Sequence, residues 1–228
     1  MKTIAIIVAG GSGTRFGAEV PKQFLELGGK PILMRTIEAF EQSMVGGNHE
    51  IIVTLPADQK DLWRDLCERH DFAVPHRVVP GGESRWHSVK NALDSIGDPA
   101  DVDVIAVHDG VRPLAGIELI KRVFDVARRD GAAIPVVMLN DSVRQVVGEE
   151  SHALDRSSLR AVQTPQAFDA RLLLDAYRQQ YQQTFTDDAS VVEAAGHSVT
   201  LVEGDPRNLK ITRPMDLALA EYLLICNA

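Results

Sequence analysis

The sequence predicts an α/β fold in which a mostly parallel, twisted sheet carries helices on both faces. Short β-branched apolar runs alternate with segments of helical spacing along the 228 residues. The runs are apolar throughout rather than alternating with polar residues, as strands buried on both faces require. Glycine-rich or polar tips follow the runs, where an open α/β sheet places its ligands.

Each element has its own reason. TIAIIVA, residues 3–9, is an unbroken apolar run and predicts the first strand. PILMRTIEAF follows a glycine-rich loop, and Ile32, Leu33, Ile37 and Phe40 repeat at helical spacing. EIIVTL, residues 50–55, predicts a second buried strand. Residues 58–69 predict a helix burying Leu62, Trp63 and Leu66. Residues 76–79 predict a short strand closed by Pro80-Gly81-Gly82, and residues 84–96 a helix with Val89, Leu93 and Ile96 on one face. DVIAVHDG, residues 103–110, predicts a strand that runs into a polar tip. Residues 117–129 predict a helix stopped by Gly131. Residues 132–139 predict the next strand.

The pattern breaks at residues 141–163. SVRQVV and HALDRSSLRAVQ flank the polar GEES and predict extended hairpin arms. Such an insertion is either a local flap or an arm reaching a neighbouring subunit. Helices are then expected over residues 170–181 and 187–196, strands over SVTLVEG and NLKIT, and a last helix opened by Pro214. No linker or repeat divides the chain, so residues 1–228 are expected to form one domain, with 139–160 as an inserted arm.

Composition narrows the partners. The chain is 45% hydrophobic and 25% charged, with a formal net charge of −8. An acidic chain argues against a nucleic-acid polymer or an anionic membrane as partner, while a few local cations can still hold a small anion. Cys67 and Cys226 fit no disulfide framework or metal spacing, which favours reduced thiols in the cytoplasm. No apolar run is long enough for a membrane span. The histidines show no zinc spacing, and no G-x-S-x-G elbow supplies an esterase nucleophile.

Four clusters could carry chemistry. Gly10 to Gly17 read G-G-S-G-T-R-F-G, followed by Lys22. The spacing is neither the dinucleotide fingerprint nor a Walker loop, which removes the ground for a dehydrogenase. Glycines still let backbone N–H groups approach phosphate oxygens, and Arg15 and Lys22 add charge suited to a triphosphate; otherwise the loop is a plain turn. Gly81 to Ser88 is either an ordinary helix start capped by Ser84 or a nucleobase site offering Glu83 and Ser88. His108 to Pro113 ends a buried strand, with Asp109 able to hold a hydroxyl or divalent cation and Arg112 a phosphate; a turn-capping aspartate is the alternative. Lys210, in NLKIT, marks either an exposed edge or a further cation for a reacting phosphate.

Taken in order, AGGSGTRF, PKQF, GGESR, HDGVRP, TPQAF, TDDA and NLKITRPMDL resemble the IspD family of 2-C-methyl-D-erythritol 4-phosphate (MEP) cytidylyltransferases, from near Ile4 to near Tyr222. The resemblance implies a Rossmann-like nucleotidyltransferase of the sugar-nucleotide transferase type, with a protruding β-arm that exchanges in a homodimer. It implies CTP and MEP as substrates and Mg²⁺ as cofactor, the metal held mainly through CTP phosphates. By the same resemblance Arg15, Lys22 and Lys210 are catalytic. Ala9, Gly10, Gly11, Gly13, Gly82, Glu83 and Ser88 would bind CTP. Asp109, Arg112 and Thr164 would meet MEP, with Ser142 and Arg156 reaching the other subunit's substrate. The family often carries threonine at the position of Ser142 and aspartate at that of Glu83. A ribitol-5-phosphate cytidylyltransferase, sharing the glycine loop and PKQF, and a CTP-binding module without catalysis are the alternatives.

Overall fold

In the computed structural model, strand β1 (Lys2–Val8) lies at the centre of the main sheet. The structure describes residues 1–10 and 20–226; Gly11, Gly13 and Arg15 lie outside them. After β1 the chain makes a small hairpin, β2 (Glu26–Leu27) and β3 (Lys30–Pro31), and enters helix α1 (Ile32–Met44). Then come β4 (His49–Leu55), α2 (Lys60–Arg69), β5 (Arg77–Pro80), α3 (Arg85–Asp94), β6 (Val102–Asp109), α4 (Ile117–Asp130) and β7 (Ala132–Met138). The arm is the antiparallel hairpin β8 (Val143–Val147) and β9 (Glu150–Leu154). The chain closes with β10 (Arg160–Val162), β11 (Gln166–Asp169), α5 (Ala170–Ala176), α6 (Asp188–Ala194), β12 (Thr200–Glu203) and α7 (Pro214–Cys226).

The sheet is parallel across β5, β4, β1 and β6, and antiparallel where β11 joins β6 and β7. Ala133 pairs with both β11 and β12, and Val136 with both β10 and β12. A strand has two edges, so β10 and β11 share one edge of β7 and form one strand line interrupted at residues 163–165. β12 covers the other edge, parallel to β7.

Strand alternation sorts the core into two layers. Ala5, Ile7, Val104 and Ala106 pack on one face with Leu33, Ile37 and Phe40 of α1 and Leu119 and Val123 of α4. Ile4, Ile6, Ile105 and Val107 pack on the other with Val89 and Leu93 of α3, Leu173 of α5 and Val191 of α6. Helix α4 ends as expected, with Gly131 at φ +88° donating its N–H to the Ala127 carbonyl at 2.8 Å. Helix α6 begins with a capping box between Asp187 and Ser190.

Two expectations are corrected. The helix expected over residues 170–181 ends at Ala176, because Tyr177 turns inward against Trp86 and Asp188. NLKIT forms no strand. Its Ile211 N–H meets the Val111 carbonyl, but the groups of Asn208 go to residues 112 and 163–164 instead of a ladder.

β1 is the switch point of the sheet. The chain goes from β1 to β4 on one side and returns to β6 on the other, leaving a crevice beyond the ends of β1 and β6. Val8 and Asp109 stand in register across it.

Candidate active site

The crevice opens into a cavity of about 340 Å³. Val8, Ala9 and Gly10 at the end of β1, Lys22, Gly82 to Arg85, Ser88, Asp109 and Lys210 are on its walls. A second cavity of about 270 Å³ is lined by Arg112, Thr164, Gln166, Thr186 and Asp187. The two share Arg85, Asp109 and Lys210. Residues separated by more than a hundred positions thus form the junction between two compartments.

On the first wall, Gly82 allows the chain to press against α3. A Cβ there would fall 2.4 Å from the Cβ of His87. The Gly82 N–H donates to Ser88 Oγ at 3.1 Å, and Ser88 Oγ donates to the Ser84 carbonyl at 3.0 Å. Ser88 therefore spends its one proton holding the turn and can only accept from a ligand. Ser84 caps α3 as the sequence suggests, so this segment is both a helix start and a cavity wall. Glu83 stands exposed at the rim.

Lys22 opens a single 3-10 turn, Lys22–Phe24. Buried Gln23 donates to the Ala9 carbonyl at 3.0 Å and to Gln59 Oε1 at 2.7 Å, while Phe24 stacks on Trp63. The two residues after Lys22 anchor its backbone beside the end of β1.

At the junction, Asp109 gathers three cations. Lys210 Nζ and Arg112 Nε each lie 3.1 Å from Oδ2, and Arg85 Nε lies 3.5 Å from Oδ1. Burial opposes ionisation of Asp109, but Arg85, Lys210 and Arg112 outweigh it and hold the carboxyl well below the usual range. Arg85 also donates to Asp188 Oδ2 at 2.6 Å, and Asp188 is fully buried. Burial and then Asp188 hold the Tyr177 phenol well above its usual value, so Tyr177 stays a donor, 2.7 Å from Asp188 Oδ1. Arg112 reaches the Asn208 carbonyl at 2.8 Å, tying the turn after β6 to the segment that carries Lys210.

Beneath this cluster lies His108, fully buried against the ring of Phe40. Its Nε2 is 3.1 Å from the Arg112 carbonyl and its Nδ1 3.0 Å from Thr164 Oγ1. Burial pushes His108 down to about 4; the attraction of Asp109 opposes this, and Arg112 and Arg85 lower it further as charges. Between pH 6.5 and 4 the unfolded chain therefore binds a proton that the folded chain refuses. This stability is full above about 6.5 and is lost as pH falls towards 4. Lowering the pH from about 7 to 5 is expected to remove about 2 kcal/mol through this group. Urea midpoints of the wild type should show that slope. A His108→Gln variant with an equal slope would contradict it.

Most expected site residues meet here: Ala9, Gly10, Lys22, Gly82, Glu83, Ser88 and Lys210 in the first cavity, Asp109, Arg112 and Thr164 in the second or between the two. Ser142 and Arg156 do not. They are exposed at the base of the arm, away from both linings, with Arg156 Nη1 donating to the Asn140 carbonyl. Arg85, His108, Gln166 and Asp188 were not expected. All four lie inside the motifs that carry the family resemblance, Arg85 in GGESR, His108 in HDGVRP, Gln166 in TPQAF and Asp188 in TDDA, and that position was the one signal that could have marked them. Among the described residues no cluster of three His, Cys, Asp or Glu side chains could hold a metal.

The description "IspD: 2-C-methyl-D-erythritol 4-phosphate cytidylyltransferase" belongs to a family model that matches residues 3–225. A 2-C-methyl-D-erythritol 4-phosphate cytidylyltransferase of Bacteroides fragilis is 50% identical over 96% of this chain and 98% of its own. That of Bacteroides thetaiotaomicron is 47% identical over 98% and 100%. Among solved structures, 4-diphosphocytidyl-2C-methyl-D-erythritol synthase of Anaerococcus prevotii superposes with a TM-score of 0.81 at 28% identity, covering 98% of both chains. The Thermus thermophilus cytidylyltransferase gives 0.78 at 33% identity, with the same coverage.

Proposed function

The chain belongs to the IspD family of 2-C-methyl-D-erythritol 4-phosphate cytidylyltransferases, and from that premise we propose that it transfers CMP from CTP to MEP. The products are 4-diphosphocytidyl-2-C-methyl-D-erythritol and pyrophosphate, in the non-mevalonate route to isoprenoid precursors. The observation that carries this reading is the pair of cavities meeting at Arg85, Asp109 and Lys210. A transfer between two bound phosphates needs two compartments with cations at their junction.

CTP belongs in the first cavity, where Ala9 and Gly10 would approach the phosphates and Gly82, Glu83 and Ser88 would face the base; Gly11 and Gly13, assigned to the same ligand, lie outside the described residues. MEP belongs in the second, with Asp109, Arg112 and Thr164 around it. An oxygen of the MEP phosphate attacks the α-phosphorus of CTP in line. One P–O bond forms, the bond to the β-phosphate breaks, and pyrophosphate leaves with that electron pair. A phosphate monoester is largely ionised near neutral pH, so no general base is needed. Orientation and positive charge supply the catalysis, from Lys22, Arg15 and Lys210.

Mg²⁺ is the divalent cation we assign to the reaction. The donor set fits an ion carried mainly by the triphosphate. Glu83 and Asp109 are the described carboxylates on the first cavity's wall, and Asp109 is already neutralised by Arg85, Arg112 and Lys210, so the ion would take most of its ligands from the triphosphate. When bound, Mg²⁺ would offset charge on the phosphate oxygens.

We also assign the arm to a homodimer within this one-domain chain. A two-stranded hairpin is marginal alone, and Val146, Val147 and Leu154 stand exposed on it. Ser142 and Arg156 at its base would then serve the partner's MEP. No described helix is long and apolar enough to cross a membrane; we assign the enzyme to the cytoplasm on the free thiols of Cys67 and Cys226, which suit a reducing compartment. Sedimentation of the full chain tests the dimer. Pyrophosphate release with CTP and Mg²⁺ tests the reaction, with MEP and ribitol 5-phosphate as rival acceptors. Turnover is expected with MEP, and faster turnover with ribitol 5-phosphate would overturn the assignment.

A further inference from the structure

The hydrogen bonds around His108 determine where each proton lies. A carbonyl oxygen only accepts, so the contact with Arg112 requires the proton on Nε2. The neutral ring then has a bare lone pair on Nδ1, facing Thr164 Oγ1. A bare lone pair in a buried site needs a donor, and the Thr164 hydroxyl is the donor that faces it. The same oxygen accepts the Asp109 N–H at 3.0 Å. The Asp109 amide cannot take the hydroxyl proton, so the order runs one way: Asp109 N–H to Thr164, Thr164 O–H to His108, His108 N–H to Arg112. Asn208 Nδ2 fixes the Thr164 carbonyl at 2.7 Å, so the residue is held at both ends.

Thr164 nonetheless lines the second cavity. Its hydroxyl has one proton and two lone pairs; the proton and one lone pair are spent. What remains for a ligand is an acceptor. A phosphate dianion offers acceptors only, whereas a polyol hydroxyl offers a proton. We propose that His108, itself fully buried, is a positioning residue that makes Thr164 an obligate hydrogen-bond acceptor, so that Thr164 selects a hydroxyl of the acceptor substrate and not its phosphate. The phosphate falls to Arg112 and Lys210. The ring is fully buried, which disfavours its charged form, and its two hydrogen bonds are satisfied by the neutral tautomer. A charged ring would donate from Nδ1 and turn the Thr164 proton outward. Asp109, Arg112 and Arg85 are the charged groups facing the ring.

The inference rests on the proposed reaction, and its test separates the two. Full-length wild type, Thr164→Val, Thr164→Ser, His108→Gln and His108→Asn are assayed with CTP and Mg²⁺ on MEP and on analogues each lacking one hydroxyl. Wild type should turn over one deoxy analogue with kcat/KM about 10-fold or more below MEP, the loss expected for a contact whose site group is left unpaired. Thr164→Val and His108→Gln should largely erase that discrimination, with KM for CTP unchanged. Thr164→Ser keeps the hydroxyl, and His108→Asn can keep an acceptor at the Nδ1 position, so both should retain it. If His108→Gln does not fold, the valine and serine variants of Thr164 decide alone. A valine variant that discriminates like wild type overturns the inference, as does a folded His108→Gln that does so. Wild type inert on MEP would sink the proposed reaction; wild type active on MEP but indifferent to every missing hydroxyl would sink only this inference.

Discussion

Replacing Lys22 by alanine is expected to lower kcat by about 10²-fold or more, with a far smaller effect on the stability of the fold. The separation of the two effects follows from the local structure. The turn that carries Lys22 is held by its neighbours: Gln23 through the Ala9 carbonyl and Gln59, Phe24 through burial against Trp63. The side chain of Lys22 faces the first cavity, where a triphosphate would lie. Negative charge grows on the oxygens around the α-phosphorus as it is attacked, so a cation aimed there is worth more in the transition state than in the ground state. KM for CTP should therefore change less than kcat. Lys22→Arg should recover only part of the rate, because a planar fork does not place its charge where an ammonium does. Steady-state kinetics and thermal unfolding on the same preparation check both halves. An unchanged kcat would refute the role. Arg15, which lies outside the described residues, carries the same expectation for rate.

Lys22 was legible because its surroundings are local. A buried strand, glycines and a nearby cation sit within one short stretch, and the same holds for Asp109 and Arg112 at the tip of β6. The alternation of elements was legible too, since full burial of β1 and β6 on both faces leaves apolar runs that local reading detects. The long-range ties were not. Arg85 meets Asp188 across 103 positions, and His108 meets Thr164 across 56. No spacing rule links such pairs. The two corrected elements fail for the same reason: Tyr177 leaves its helix to reach Asp188 and Trp86, and Asn208 gives its polar groups to Thr164 and its neighbours. In each case a distant polar partner outweighed a local pattern.

Replacing Arg85 by methionine is expected to cost about 3–5 kcal/mol of stability, the largest loss for any single change in this site. Arg85 has a side chain only 26% exposed, and it is the cation that meets the fully buried Asp188. Methionine fills much of the same volume, so little of the loss comes from a cavity. The loss comes from a carboxylate left out of water with one neutral donor, Tyr177, and the first turn of α6. Tyr177 is itself buried and stacked on Trp86 at 5.4 Å, so the pair sits away from solvent. Adding Asp188→Asn to the methionine variant removes the stranded charge and should restore a substantial part of the lost stability. The two changes should therefore couple strongly rather than add. Urea denaturation of the wild type, both single variants and the double variant gives the coupling directly, with an unchanged m-value showing that midpoints can be compared. Asp109 also loses one of its cations, so activity should fall in the double variant even where stability returns. If Arg85→Met costs less than about 1 kcal/mol, or if the two changes add, Asp188 does not depend on Arg85 and the junction is held by Lys210 and Arg112 alone.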